Sequence, residues 1–172
     1  VHGFRVQALA TVSAGGERIS SSRIRAALAV HDLNTARELL GHDLSFTGKV
    51  RHGDGRGRVL QTPTANLHLP ANWCLPDGVY VVQVDAPQRA ALSWGVANVG
   101  TTPTFGGVQR KLEVHLFAQD AALYGQTLRV HIRHYLRDVQ RFADAAALSA
   151  QIRDDIARAY AFINQDTPHG RL

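Results

Sequence analysis

From Asp43 to Tyr135 the sequence never sustains a helical period; it breaks into short runs of alternating or β-branched residues punctuated by Gly, Pro and Asp. Six such runs stand out, at Leu44–Val50, Ala65–Leu69, Val79–Val84, Leu92–Asn98, Leu112–Phe117 and Leu128–Tyr135. Parallel sheets need crossover helices between their strands, and no segment here is long enough to supply them. The pattern therefore predicts a closed antiparallel barrel, which buries one face of every strand and leaves no free edge.

Helical character is confined to the two ends. Phe4–Val12 is apolar enough for a strand and is broken at Ala14-Gly15-Gly16. Ser20-Ser21-Ser22 offers N-caps to a helix carrying Ile24, Ala27 and Leu28, and a second short helix over Asn34–Leu40 stops at Gly41. At the other end Asp144 is an N-cap, and Leu148, Ile152, Ile156, Tyr160 and Ile163 form one apolar stripe expected to pack on the barrel. Gln165–Leu172 is expected to fray. The domain reading is a leading piece over residues 1–43 and a barrel with its helix over 44–172.

The chain has 172 residues, 45% of them hydrophobic and 19% charged, which is globular composition and excludes wholesale disorder. A lone Cys74 excludes a disulfide framework. No apolar run approaches the roughly 18 residues of a membrane span, and the start has neither a basic n-region nor an apolar h-region. A cytoplasmic protein without membrane attachment is expected. The start at Val1 and the absence of Met suggest a fragment, whose first 43 residues are expected to be poorly ordered or loosely packed on the barrel.

Net charge is +5, and only Lys49 and Lys111 are lysines. An arginine bias either marks a phosphate site, since the guanidinium fork matches phosphate oxygens, or follows gene base composition. Its distribution says more. Lys49–Arg58 and Arg129–Arg141 are each net +3, two compact basic surfaces that fit a small polyanion better than a long nucleic-acid track.

Three places can carry chemistry. In His52-Gly53-Asp54-Gly55-Arg56-Gly57-Arg58, alternate glycines let backbone amides approach a ligand while arginines supply charge. By itself such a segment is usually a turn, and it matches neither the P-loop nor G-x-G-x-x-G. In Thr62-Pro63-Thr64-Ala65-Asn66, an extended chain puts Thr64 and Asn66 on one face, where two neutral oxygens suit a Mg²⁺ already carried by phosphates; a solvent-facing strand start is the plainer reading. Glu113 is one of three glutamates; alternation puts Leu112, Val114 and Leu116 on one face and Glu113 with His115 on the other, in a strand that otherwise favours burial. It is a candidate general base, with an ordinary polar-face residue as the alternative. His115 reads as orienting or structural, and the nine histidines contain no H-E-x-x-H.

Together these segments resemble riboflavin kinases. The resemblance rests on Gly48-Lys49-Val50, Gly53, Gly57-Arg58, Pro63-Thr64-Ala65-Asn66, Gly78-Val79-Tyr80, Gly95-Val96-Ala97-Asn98-Val99-Gly100, Pro103-Thr104-Phe105, Leu112-Glu113-Val114-His115, Tyr124-Gly125, Leu136-Arg137 and Arg141-Phe142, in that order from about Leu44 to Ile163. Ile19-Ser20-Ser21-Ser22-Arg23-Ile24-Arg25 is similar to the signature closing the adenylyltransferase module of bifunctional bacterial riboflavin kinase/FAD synthetases, whose H-x-G-H motif this sequence lacks.

The resemblance implies a six-stranded Greek-key barrel that transfers the γ-phosphoryl group of ATP to the 5′-hydroxyl of riboflavin. It implies that Gly53, Gly55, Gly57 and Arg58 shape a loop over the ATP phosphates and that Thr64 and Asn66 contact Mg²⁺. Glu113 would be the base, Tyr124 would lie on the nucleotide side, and Arg137, Arg141 and Phe142 on the flavin side. FAD synthesis would belong to a preceding adenylyltransferase module, the expected partner. Three positions depart from the family pattern: Leu60-Gln61-Thr62 replaces Leu-Gly-Phe, Phe117-Ala118-Gln119 delays the acidic Asp120, and Thr102 stands where Arg is common. The alternatives are a retired flavin-binding barrel and a barrel for single-stranded nucleic acid. The latter needs aromatics interleaved with its basic strands, yet Arg129–Arg141 holds only Tyr135.

Overall fold

In the computed structural model the described residues are 3, 5, 7, 10–52, 63–86, 91–104, 107–117 and 123–166. A two-stranded hairpin, β1 (Ser13–Ala14) and β2 (Glu17–Arg18), precedes helices α1 (Ser21–Ala29) and α2 (Leu33–Leu40). Six strands follow: β3 (Ser45–Lys49), β4 (Ala65–His68), β5 (Gly78–Asp85), β6 (Ser93–Thr104), β7 (Gly107–Leu116) and β8 (Thr127–Arg137). A C-terminal helix, α3, spans Ala145–Asp166.

The strands form one antiparallel sheet in the order β3-β8-β5-β6-β7-β4. Consecutive strands β5, β6, β7 and β8 stand in the spatial order β8-β5-β6-β7, the Greek-key arrangement. A bridge between Arg51 and Asn66 brings the two end strands together, so the sheet is nearly a closed barrel. Alternation assigns the faces. Leu67, Tyr80, Val82, Val84, Ala97, Val99, Leu112, Val114, Leu128 and Val130 fill the interior. Val79, Val81, Val96 and Leu136 form a second, outer cluster under Ile156, Ala159, Phe162 and Ile163 of α3.

Strand cores fall where alternation puts them, while β6 and β7 run on past Asn98 and back to Gly107. On the β6 side their added rungs, Thr101↔Arg110 to Thr104↔Gly107, lie beyond the reach of β5, whose pairing with β6 ends at Val99, while Leu69 N–H donates to the Arg110 carbonyl on the other side of β7. With one side of β6 unpartnered, Pro103 lacks its N–H without breaking the sheet. Gly95 is needed where these strands run closest, since a Cβ there would collide with the His115 carbonyl.

The leading segment differs from expectation. Of its described residues between 4 and 12, none lies in a strand; pairing starts at Ser13, and Gly15 and Gly16, both at positive φ, turn the hairpin. Helices α1 and α2 are not loosely packed. Leu28 is 2% exposed and Ala36 1%, both within the barrel core. The apolar surface these helices need is the barrel itself. Ser20 caps α1 by accepting from Arg23 N–H, and Asp32 caps α2 through Thr35 N–H, which holds the Asp32 carboxyl below its usual range. Between them His31 sits at φ 57°, its ring stacked 3.8 Å from Tyr135. Tyr80 donates its hydroxyl proton to the Pro76 carbonyl at 2.9 Å, so His31 Nδ1, 3.0 Å from the same oxygen, must carry hydrogen. Burial raises the Tyr80 hydroxyl well above its ordinary pKa.

Helix α3 starts as expected, with Asp144 accepting from Ala147 N–H. Its packing face is rotated slightly from the expected stripe. Ala159 is buried, whereas Tyr160 is half-exposed and stacks on Phe117. Nor does the helix fray at Gln165, since Asp166 still belongs to it and accepts from Arg133 at 2.9 Å. Residues 167–172 lie outside the described residues. Trp73 packs edge-on against Phe46, and Trp94 against Phe162, as packing residues should.

Candidate active site

Leu112 and Val114 point into the barrel, so Glu113 between them lies on the outer face, half-buried. Register places Asn66 of β4 opposite Glu113 on one side and Asn98 of β6 on the other. Directly opposed residues share a face. The row continues both ways: the Arg51 N–H donates to the Asn66 carbonyl at 2.9 Å, and Asn98 pairs with Val79, which pairs with Arg137 of β8. One transverse line thus reads Arg51, Asn66, Glu113, Asn98, Val79, Arg137. At about 4.8 Å between strands, Glu113 is ~5 Å along the sheet from either Asn and ~14 Å from Arg137.

Thr64 stands just before β4 and Asn66 within it. Asn66 is 7% exposed. Its Nδ2 donates to the Thr64 carbonyl at 3.4 Å, so the amide oxygen is the end that could hold a metal. His115, also buried, lies 3.1 Å through Nδ1 from the Pro63 carbonyl. A carbonyl only accepts, so Nδ1 carries the proton and ties the chain just before Thr64 to β7. His115 therefore has the orienting role expected of it. Among the described residues no cluster of three or more His, Cys, Asp and Glu side chains is placed to hold a metal.

The Arg51 end of the row meets Tyr124. Val50 N–H donates to the Gln126 carbonyl at 2.8 Å, and Gly125 N–H to the Val50 carbonyl at 3.1 Å. These bonds seat the Leu123–Gln126 turn beside β3, and the Tyr124 ring stacks on His52 at 4.3 Å. Tyr124 thus flanks the point where the glycine- and arginine-rich segment leaves β3. Gly53, Gly55, Gly57 and Arg58 themselves lie outside the described residues, as do Gln61 and Thr62.

The opposite end is built from charge. Arg137 Nε and Nη2 each donate to one carboxylate oxygen of Asp155 at 2.7 Å, and Nη1 donates to the Asp138 carbonyl at 2.9 Å. The same guanidinium lies 5.9 Å from the centre of the Phe142 ring. Tyr135 donates its hydroxyl proton to Asp138 at 2.8 Å; burial first, and this bond second, raises the Tyr135 pKa. Arg141 is exposed. The structure thus brings Arg137 and Phe142 together and leaves Arg141 at the surface.

Sequence reasoning gave no separate role to Asn98 or Asp155, and it met Arg51 only within a basic stretch and His52 only as the start of the glycine- and arginine-rich segment. Asn98 carried a usable signal, because it stands between the apolar pair Ala97 and Val99 as Glu113 stands between Leu112 and Val114. Asp155 carried none, since it reads as one more charge on a helix.

A family model described as Flavokinase: Riboflavin kinase matches residues 40–163. A bifunctional riboflavin kinase/FMN adenylyltransferase of Escherichia coli K12 is 41% identical over 167 residues, 97% of this chain and 53% of that protein. One of Pseudomonas fluorescens is 43% identical over 161 residues, 92% of this chain and 51% of its own length. The chain therefore spans about half the length of these curated relatives. A crystal structure described as a macrolide-efflux protein of Streptococcus pneumoniae superposes with a TM-score of 0.77 at 34% identity, over 87% of this chain and 49% of that one. A riboflavin kinase of Trypanosoma brucei shares the fold at a TM-score of 0.50 and 18% identity, over 74% of this chain and 92% of that one. Among the described residues no helix is long and apolar enough to cross a membrane. With the family model spanning the whole barrel and relatives aligned along nearly all of its length, the chain belongs to the riboflavin kinase family.

Proposed function

We propose that this chain transfers the γ-phosphoryl group of ATP to the 5′-hydroxyl of riboflavin, giving FMN and ADP. The supporting observation is the transverse row. A carboxylate stands midway between a surface flanking a glycine- and arginine-rich segment and a second surface carrying Arg137 and Phe142. A base serving two substrates has to sit between them. ATP would lie on the Arg51 and Tyr124 side, with Gly53, Gly55, Gly57 and Arg58 over its phosphates. Riboflavin would lie along Asn98 towards Arg137, Arg141 and Phe142, a length suited to a tricyclic ring with a five-carbon chain.

In this scheme Glu113 accepts the proton of the 5′-hydroxyl as that oxygen bonds to the γ-phosphorus. The bond from phosphorus to the β,γ-bridging oxygen breaks, and ADP leaves. Asn66 and Asn98 flank the carboxylate and hold the approach geometry. Positioning and charge neutralisation supply most of the acceleration in such a transfer. Thr64 and Asn66 fit a Mg²⁺ that arrives on ATP, because two neutral oxygens need phosphate oxygens to complete the shell. When bound, Mg²⁺ neutralises charge building on the transferred group.

The relatives' names pair this kinase with FMN adenylyltransferase. This chain, which lacks an H-x-G-H motif, is proposed to make FMN and not FAD. Chromatography of riboflavin incubated with the chain, ATP and Mg²⁺ tests both points. FMN as the sole flavin product is expected; unchanged riboflavin would contradict the kinase reading, and FAD the restriction to FMN.

A further inference from the structure

Arg137 ends the transverse row, and the group that holds it has no part in the chemistry just described. Asp155 is 3% exposed, on a helix that also packs an apolar face on the barrel. Ile156, Ala159, Phe162 and Ile163 already give α3 what it needs to stay on Val79, Val81, Val96 and Leu136. A carboxylate in this seam is costly to bury unless fully paired, and an apolar pair of similar volume would hold the helix at least as well. What the ion pair adds is direction, because a two-point fork fixes the plane and position of the guanidinium.

The fixed guanidinium is itself a holder. Its Nη1 grips the Asp138 carbonyl, and its face lies over Phe142. One turn further along α3, Arg158 Nη2 grips the Leu136 carbonyl at 2.6 Å. Gln151, one turn back, donates to Asp155 at 3.1 Å. Helix α3 thus holds the backbone at 136 and, through Arg137, at 138, where the chain leaves β8. We propose that Asp155, assisted by Arg158, is a positioning residue for the flavin-side segment 137–142. It orients Arg137, and through Arg137 the Asp138 carbonyl and the Phe142 ring, so that α3 sets the geometry of the riboflavin subsite without touching riboflavin. This rests on the kinase reading above.

Steady-state kinetics in both substrates, with thermal unfolding alongside, tests it. Asp155→Asn should raise the KM for riboflavin about fivefold to tenfold and leave the KM for ATP within about twofold, because misplacement affects one subsite. A purely structural ion pair would lower Tm and the active fraction with both KM values unchanged, and that result would overturn the proposal. Should Asp155→Asn fail to fold, the exposed Arg158→Gln decides. A rise of about twofold to threefold confined to riboflavin supports the proposal, and unchanged KM values overturn it. Wild-type chain that neither forms FMN nor binds riboflavin would remove the kinase reading and this inference with it. Active wild type with unmoved variants would remove this inference alone.

Discussion

On the Arg51 side of Glu113 the contacts are neutral, two backbone bonds and a ring stack, whereas on the Arg137 side they are charged and tie the barrel to α3. Tyr124 is placed by a tight turn, two backbone bonds to Val50 and a ring stack on His52. Arg137 is placed by a buried carboxylate 18 residues later in the chain and by a guanidinium one helical turn beyond that. Hydrogen bonds and stacks between exposed neutral groups are each worth ~1 kcal/mol, and they let a segment yield. Removing one member of a buried ion pair costs ~3–5 kcal/mol, and such a pair does not yield. Under the proposed function, the flank assigned to the nucleotide is therefore built to adapt and the flank assigned to the flavin to be rigid. That division suits a triphosphate gripped by a loop and a planar ring that must be laid down in one orientation.

Perturbing each flank separately breaks or sharpens this contrast. The largest effect is expected next to the base. Asn66→Ala removes the amide in register with Glu113 on the side proposed for ATP, and should lower kcat/KM about 10- to 100-fold while raising the Mg²⁺ concentration needed for half-maximal rate. Equal losses at all Mg²⁺ concentrations would detach Asn66 from the metal. A smaller effect is expected at the adaptable flank. Tyr124→Ala should raise the KM for ATP about threefold, with riboflavin unaffected, since one exposed ring contributes ~0.5–1 kcal/mol. A loss as large as that of Asn66→Ala would mean that this flank is as rigid as the other.

The smallest effect is on acid stability. Burial is the main reason His68, His131 and His134 titrate below the ordinary value near 6.5, and nearby guanidinium groups add to it. The unfolded chain takes up these protons first as pH falls through about 6.5, while the folded chain stays neutral. Stability is therefore full above that pH and declines as pH drops towards the folded values. Two of the three rings lie on β8, so the rigid flank should be the acid-sensitive one. Tm should fall between pH 7.5 and 5.5, and His134→Phe, which keeps the stack on Phe162, should flatten the fall. An unchanged slope would assign the sensitivity elsewhere.

What the sequence revealed divides between local and distant relations. The strands were legible because alternation is local, and Glu113 because it is one of only three glutamates and stands in a strand that otherwise favours burial. Placing Thr64 and Asn66 on one face needs only the geometry of an extended chain. Facing Asn98 with Glu113, or Arg137 with Val79, depends on pairing register, which is fixed by the whole barrel closing on its interior side chains. Asp155 was illegible because an acidic residue beside Asp154 looks solvated until β8 supplies its guanidinium. Helices α1 and α2 read as a remnant with little to bury against, yet Leu28 and Ala36 close the barrel core. The extension of β6 through Thr101-Thr102-Pro103 has no alternation to read, and only its pairing with β7 makes it a strand.

In the proposed reaction Glu113 takes the 5′-hydroxyl proton from one of two separately held substrates. The most direct test is single-turnover FMN formation by Glu113→Gln beside wild type, with riboflavin and ATP affinities measured on the same samples. Loss of a positioned base predicts a rate ~10²- to 10⁴-fold lower at unchanged affinities. A Glu113→Gln variant that forms FMN at the wild-type rate would contradict the account.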